Sequence, residues 1–108
     1  MLSVDDLSKL RETYPQGVVH LIGKDARWEA VFRAPTRGEY KMFRANAHNT
    51  ARVADANEML ARQTVVHPPT REAFDALLDR FPAIPEAMAN DEDFRALTGV
   101  SVEEGSKA

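Results

Sequence analysis

WEAVFRAPTRGEYKMF, residues 28–43, sets a strand directly before a capped helix, and the rest of the fold is read outward from it. Trp28, Ala30 and Phe32 alternate with Glu29, Val31 and Arg33, the period of an extended chain with two unlike faces. Pro35 then ends the run. Thr36-Arg37-Gly38-Glu39 spells a capping box, in which the Thr36 hydroxyl covers the Glu39 N–H and the Glu39 carboxylate reaches back. Tyr40, Phe43 and Ala47 follow on one helical face. The stretch contains no catalytic group, and composition and spacing alone specify no function.

N-terminal to it, Val18-Val19-His20-Leu21-Ile22 is β-branched and apolar between Gly17 and Gly23, which predicts a strand. Gly23 to Ala26 has hairpin length, with Arg27 to Arg33 returning. A two-stranded hairpin is marginal in water, so Trp28 and Phe32 must pack on helices or the edges must pair with another copy. Before the hairpin, Ser3 can cap a helix over residues 4–14. Asp5 and Asp6 suit its positive end, and Val4, Leu7, Leu10 and Tyr14 repeat along one side.

C-terminal to it, helical spacing continues through Ala51, Ala54, Met59 and Leu60 to about Gln63. Asn46 to Thr50 is weakly helical, so one long helix or two consecutive ones fit. Thr64 to His67 is a short apolar passage ended by Pro68-Pro69. Thr70 caps a further helix with Phe74, Leu77, Leu78 and Phe81 on its stripe. Pro85 suits the first turn of a last helix carrying Ala87, Met88, Phe94 and Leu97, with Gly99 beyond its end. Residues 101–108 lack a stripe and read as a flexible acidic tail. The expectation is one α+β domain over residues 1–100, helix-dominated: an N-terminal helix, a β-hairpin, then three to four helices packed against it.

The chain has 108 residues, 44% hydrophobic and 29% charged, a globular balance for a single domain. It has no cysteine, which excludes disulfides, thiol catalysis and cysteine-ligated zinc. No leader peptide or membrane span is legible. Net charge is −3, unevenly spread. Arg27, Arg33, Arg37, Lys41, Arg44 and Arg52 crowd the middle, whereas Asp91, Glu92, Asp93, Glu103 and Glu104 crowd the C-terminal part. These are two solvated faces or, alternatively, a self-association contact in which Arg37 and Arg44 of one copy meet Asp91, Glu92 and Asp93 of another.

Catalytic and metal chemistry find no support in the residues. His20, His48 and His67 have no ligand spacing, and Asp91-Glu92-Asp93 lacks the glycine and distal glutamate of a calcium loop. The glycines never cluster into a phosphate loop. Arg37, Lys41, Arg44 and Arg52 could share part of a helix face. The net negative charge and the core-like Tyr40 and Phe43 nevertheless argue against nucleic acid. The reading is a non-enzymatic binding domain with no cofactor and no metal.

Three passages carry a resemblance. Phe32 to Tyr40 resembles the FR-x-P-T-R-x-E-Y stretch of small tail assembly chaperones of long-tailed bacteriophages. Leu60 to Pro69, LARQTVVHPP, is similar to that family's passage from helix to polar-Val-x-Pro. Phe74 to Gly99, with FPAIPEAMA inside it, resembles the closing pattern. The likeness covers about residues 18–99; the N-terminal helix and the acidic tail lie outside it, and Asn90 to Asp93 departs from it.

The resemblance implies a protein of the infected host's cytoplasm that binds the tape measure protein, keeps it soluble and supports tail tube assembly. It also implies a possible homo-oligomer. Such a protein needs an apolar groove for an amphipathic helix, and Tyr40, Phe43, Met59, Leu60, Phe74 and Phe81 are its candidate lining. Taken one at a time, each of the six reads first as ordinary core. Alternative readings are a structural virion subunit of the tail or head–tail junction, and a small phage inhibitor of a host protein.

Overall fold

The structure, a computed structural model, describes residues 1–99; the acidic tail expected at 101–108 lies outside them. Helix α1 (Val4–Thr13) leads to strands β1 (Val18–Ile22) and β2 (Glu29–Arg33), joined through a 3₁₀ turn at Lys24–Ala26. Then come α2 (Arg37–Ala47), α3 (Val53–Thr64), β3 (Val65–His67), α4 (Arg71–Arg80), α5 (Ile84–Asn90) and α6 (Glu92–Leu97). This is the expected α+β, helix-dominated order of helix, hairpin and helices. Five helices follow the hairpin because the expected last helix divides at Asp91, whose φ of −70° and ψ of 132° are extended.

The hairpin gains a third strand. β1 and β2 pair antiparallel with Val19 opposite Phe32 and Leu21 opposite Ala30. β3 pairs on the other side of β2, antiparallel, with a bulge between the pairs Val31–His67 and Phe32–Val65. The turn is tight: the Gly23 N–H donates to the Trp28 carbonyl at 2.9 Å. A Cβ at Gly23 would run into the Trp28 indole, so only glycine lets the ring lie there.

Both faces of the sheet are covered. On one, Val19, Ala30 and Phe32 join Leu60, Ala61, Phe74, Leu78, Ile84, Met88 and Phe94 in the core, with Trp28 packed at its margin. The Phe32 ring takes the edges of Phe74 and Phe94, with centroids 6.3 and 6.4 Å away and planes 77° and 81° apart. Such edge-to-face pairs contribute about 1 kcal/mol each beyond the area they bury. On the opposite face lies α1. Its start is tied where the Leu2 N–H donates to Glu29 Oε1 at 3.0 Å, and Tyr14, after its last turn, lines a cleft with Arg33. Val31, between them on β2, is therefore fully buried although it points away from the core. Val4, counted in the α1 stripe, stays 79% exposed, while Leu7, Leu10 and Tyr14 are half-buried.

The expected capping box of α2 forms, and the expected Ser3 cap of α1 turns out to be a capping box as well. Ser3 pairs with Asp6 at the start of α1, and Thr36 with Glu39 at the start of α2. The weak stretch at Asn46–Thr50 is a break: α2 ends at Ala47, and the chain turns back so that α3 packs against it.

Candidate partner-binding groove

α2 packs chiefly against α3, while α6 packs against α5 and β1, so among the described residues the flank of α2 that faces α6 is only lightly packed. Two adjoining clefts of about 410 and 350 Å³ occupy the gap and share Tyr40 and Thr98. Arg37, Tyr40, Lys41 and Arg44 form the α2 wall, an i, i+3, i+4, i+7 stripe. Leu97 and Thr98 form the facing wall. Deeper in, Phe43 joins Tyr40, with ring centroids 6.0 Å apart, over a floor of Leu60, Ala89 and Phe94.

Of the six residues expected to line a groove, the structure brings together Tyr40, Phe43 and Leu60. Leu60, 2% exposed, is floor rather than wall. Phe74 is 1% exposed and belongs to the core, so it has no surface to offer a partner. Phe81 sits half-buried elsewhere, with the Arg27 and Arg80 guanidinium groups 5.6 and 5.3 Å from its ring centre. Met59 is exposed on the α2–α3 surface, in a shallow hollow with Asn46, Arg52, Asp55 and Ala56. The α6 wall was not anticipated, because a continuous last helix gave no reason to set Leu97 and Thr98 apart from the stripe.

The charged residues divide likewise. Arg37 and Arg44 are exposed on the groove wall, and Arg52 lies away from it at the start of α3. Asp91 is occupied as the N-cap of α6, its carboxylate accepting the Phe94 N–H at 3.0 Å. Glu92 and Asp93 are exposed in the first turn of α6 and do not line either cleft. The six residues of α6 span roughly 9 Å, so the acidic set stands close to one end of the groove that the basic set borders.

Among the described residues, no carboxylate, imidazole or thiol lines either cleft. The lining can hold apolar and anionic groups but offers no general acid–base pair. Elsewhere, the antiparallel register gathers titratable groups that sequence spacing had kept apart. His20 Nε2 lies 2.7 Å from Glu29 Oε2, and His67 Nε2 lies 3.8 Å from Glu29 Oε1. Glu29 is half-buried, and that desolvation pushes its carboxyl pKa up; the hydrogen bonds from His20 and the Leu2 N–H outweigh this and hold it below the ordinary range. The cluster ties α1 to the sheet. Among the described residues, no group of three or more His, Asp or Glu is placed to hold a metal ion. No helix among them is long and apolar enough to cross a membrane.

No protein-family model matches the chain, and no curated protein or solved structure does either.

Proposed function

We propose that the groove between α2 and α6 holds an amphipathic helix of a partner protein. On this reading the chain is a non-enzymatic tail assembly chaperone of a long-tailed bacteriophage, and its partner is the tape measure protein. The observation that carries the proposal is the Tyr40–Phe43 pair, half-buried at the mouth of a cleft floored by Leu60, Ala89 and Phe94. The two half-buried rings offer what one turn of an apolar helix stripe requires. The resemblance of Phe32–Tyr40 to the chaperone stretch supplies the partner's identity. The same segment that carries the resemblance starts the groove wall. The protein would act in the host cytoplasm, keeping a long helical protein soluble while the tail tube assembles around it.

Co-expression tests this directly. With this chain present, the cognate tape measure protein partitions into the soluble fraction and co-purifies; with the Tyr40→Ala variant much of that gain is lost. Equal insolubility of the tape measure protein with and without the chain would overturn the proposal.

A further inference from the structure

The groove has a sign. Arg37, Lys41 and Arg44 repeat along the α2 wall, and Arg95 stands on the α6 side of the deeper cleft. None of these four takes part in an ion pair among the described residues, whereas Arg33 and Arg62 are paired with Glu39, Glu58 and Asp75. The whole chain carries −3, so this cationic border is local and set against the overall charge. A cationic border around an aromatic cleft discriminates by charge at its rim and by shape at its centre.

Resting on the reading of the groove as a helix-binding site, we infer that its occupant is an acidic amphipathic helix. An apolar stripe of the occupant seats on Tyr40 and Phe43, and Asp or Glu on both sides of the stripe meets Arg37, Lys41, Arg44 and Arg95. From Arg37 to Arg44 the wall runs roughly 10 Å, about two turns of helix. Carboxylates spaced three and four residues apart therefore match it. Nucleic acid fits less well, because the deeper cleft is floored by Leu60, Ala89 and Phe94, which suit an apolar stripe rather than a phosphate backbone.

Three synthetic helical peptides of roughly 18 residues test the inference. All share one Leu/Phe stripe, and the flanking positions are all Glu, all Gln or all Lys. Each is titrated into the isotope-labelled full chain while backbone amide shifts are followed. The Glu peptide shifts amides of α2 and α6 and binds about tenfold tighter than the Gln peptide, with the Lys peptide weakest. The gap closes to about twofold in roughly 0.5 M salt. Because the three α2 positions are exposed, the R37E/K41E/R44E variant keeps its fold and reverses the order, and R37Q/K41Q/R44Q abolishes it.

Equal affinity for the three peptides, or an unchanged order in the R37E/K41E/R44E variant, would overturn the acidic occupant while the co-expression result still stands for the groove. Tighter binding of a single-stranded DNA oligomer, displacing the Glu peptide, would overturn it in favour of nucleic acid. Absence of groove shifts with every peptide would remove both this inference and the reading on which it rests.

Discussion

Arg33 and Glu39 face each other across the strand-to-helix junction as a two-pronged ion pair, Nη1 to Oε1 and Nη2 to Oε2, each at 2.9 Å. The same Glu39 oxygen that takes Nη1 also accepts the Thr36 N–H at 2.9 Å. The same Arg33 nitrogen that meets Oε2 also donates to the Gln63 carbonyl at 2.6 Å, and Nη1 donates to the Ala34 carbonyl. One guanidinium thus joins the end of β2, the start of α2 and the end of α3. Both partners are partly buried, and Arg33 is held more firmly charged than a free arginine by its bond to Glu39.

Arginine and lysine are not equivalent here. A lysine ammonium is a point charge, so it cannot make both prongs and still reach the Gln63 and Ala34 carbonyls. Arg33→Lys should cost about 1–2 kcal/mol, read as a lower urea midpoint with an unchanged slope. A cycle with Glu39→Gln should return a coupling of about 1 kcal/mol. A coupling near zero would mean that the geometry contributes nothing to stability.

Acid should loosen this protein through two carboxylates. Glu29 is depressed below its ordinary value of 4.5 by the balance already described; Glu39 is depressed chiefly by the Arg33 hydrogen bond, with burial opposing. A carboxylate whose folded pKa is lowered contributes stability in full above its unfolded value, and that contribution is lost as pH falls through the folded value. The urea midpoint should therefore hold steady above about pH 5 and fall below 4.5. Glu29→Gln should start lower at pH 7 and show a shallower acid decline. An acid limb identical to that of the parent would separate Glu29 from the effect.

Backbone handedness gives a pair of opposite predictions. Gly17 has φ +111°, and a Cβ there would lie 2.7 Å from Leu97 Cδ2 on α6. Gly17→Ala meets backbone strain and makes the end of the Leu97 side chain give way, so it should cost about 1–2 kcal/mol. Ala26 has φ +56° in the hairpin turn, a conformation that costs a side chain roughly 1 kcal/mol. Ala26→Gly should raise stability by about 0.5–1 kcal/mol, a few degrees in Tm for a domain of this size.

What the sequence disclosed follows from the range of the interactions. Thr36 and Glu39 are three residues apart, so their capping box is visible in one window; the Arg33 bond to Gln63 spans 30 residues and has no local sign. β3 escaped notice for a similar reason. Val65-Val66-His67 follows α3 without a breaker, and three residues become a strand only because β2 offers them an edge. The Asn46–Thr50 break was legible in poor helix formers, whereas the break at Asp91 lay inside an apolar spacing that suited one helix. Half of the groove followed from that second break. Tyr40 and Phe43 could be named from the α2 stripe, but Leu97 and Thr98 face them only because Asp91 starts a new helix.

The groove itself is best probed where function and stability separate. Tyr40 is half-buried, lines both clefts and stacks beside Phe43, but it is not among the fully buried residues. Tyr40→Ala removes a ring face from the wall while leaving Phe32, Phe74 and Phe94 in contact. Its folding cost should stay near 1 kcal/mol, well below the 3–5 kcal/mol expected for Phe94→Ala in the core. Binding of an amphipathic helix should nevertheless weaken about tenfold or more, because an aromatic at the centre of a contact carries a large share of its energy. Met59→Ala, at an exposed methionine outside both clefts, should leave that binding within about twofold of the parent. Thermal melts and peptide titrations on the three variants give both readouts. If Met59→Ala weakened binding and Tyr40→Ala did not, the contact surface would move to the outer α2–α3 face, where Met42 is also exposed.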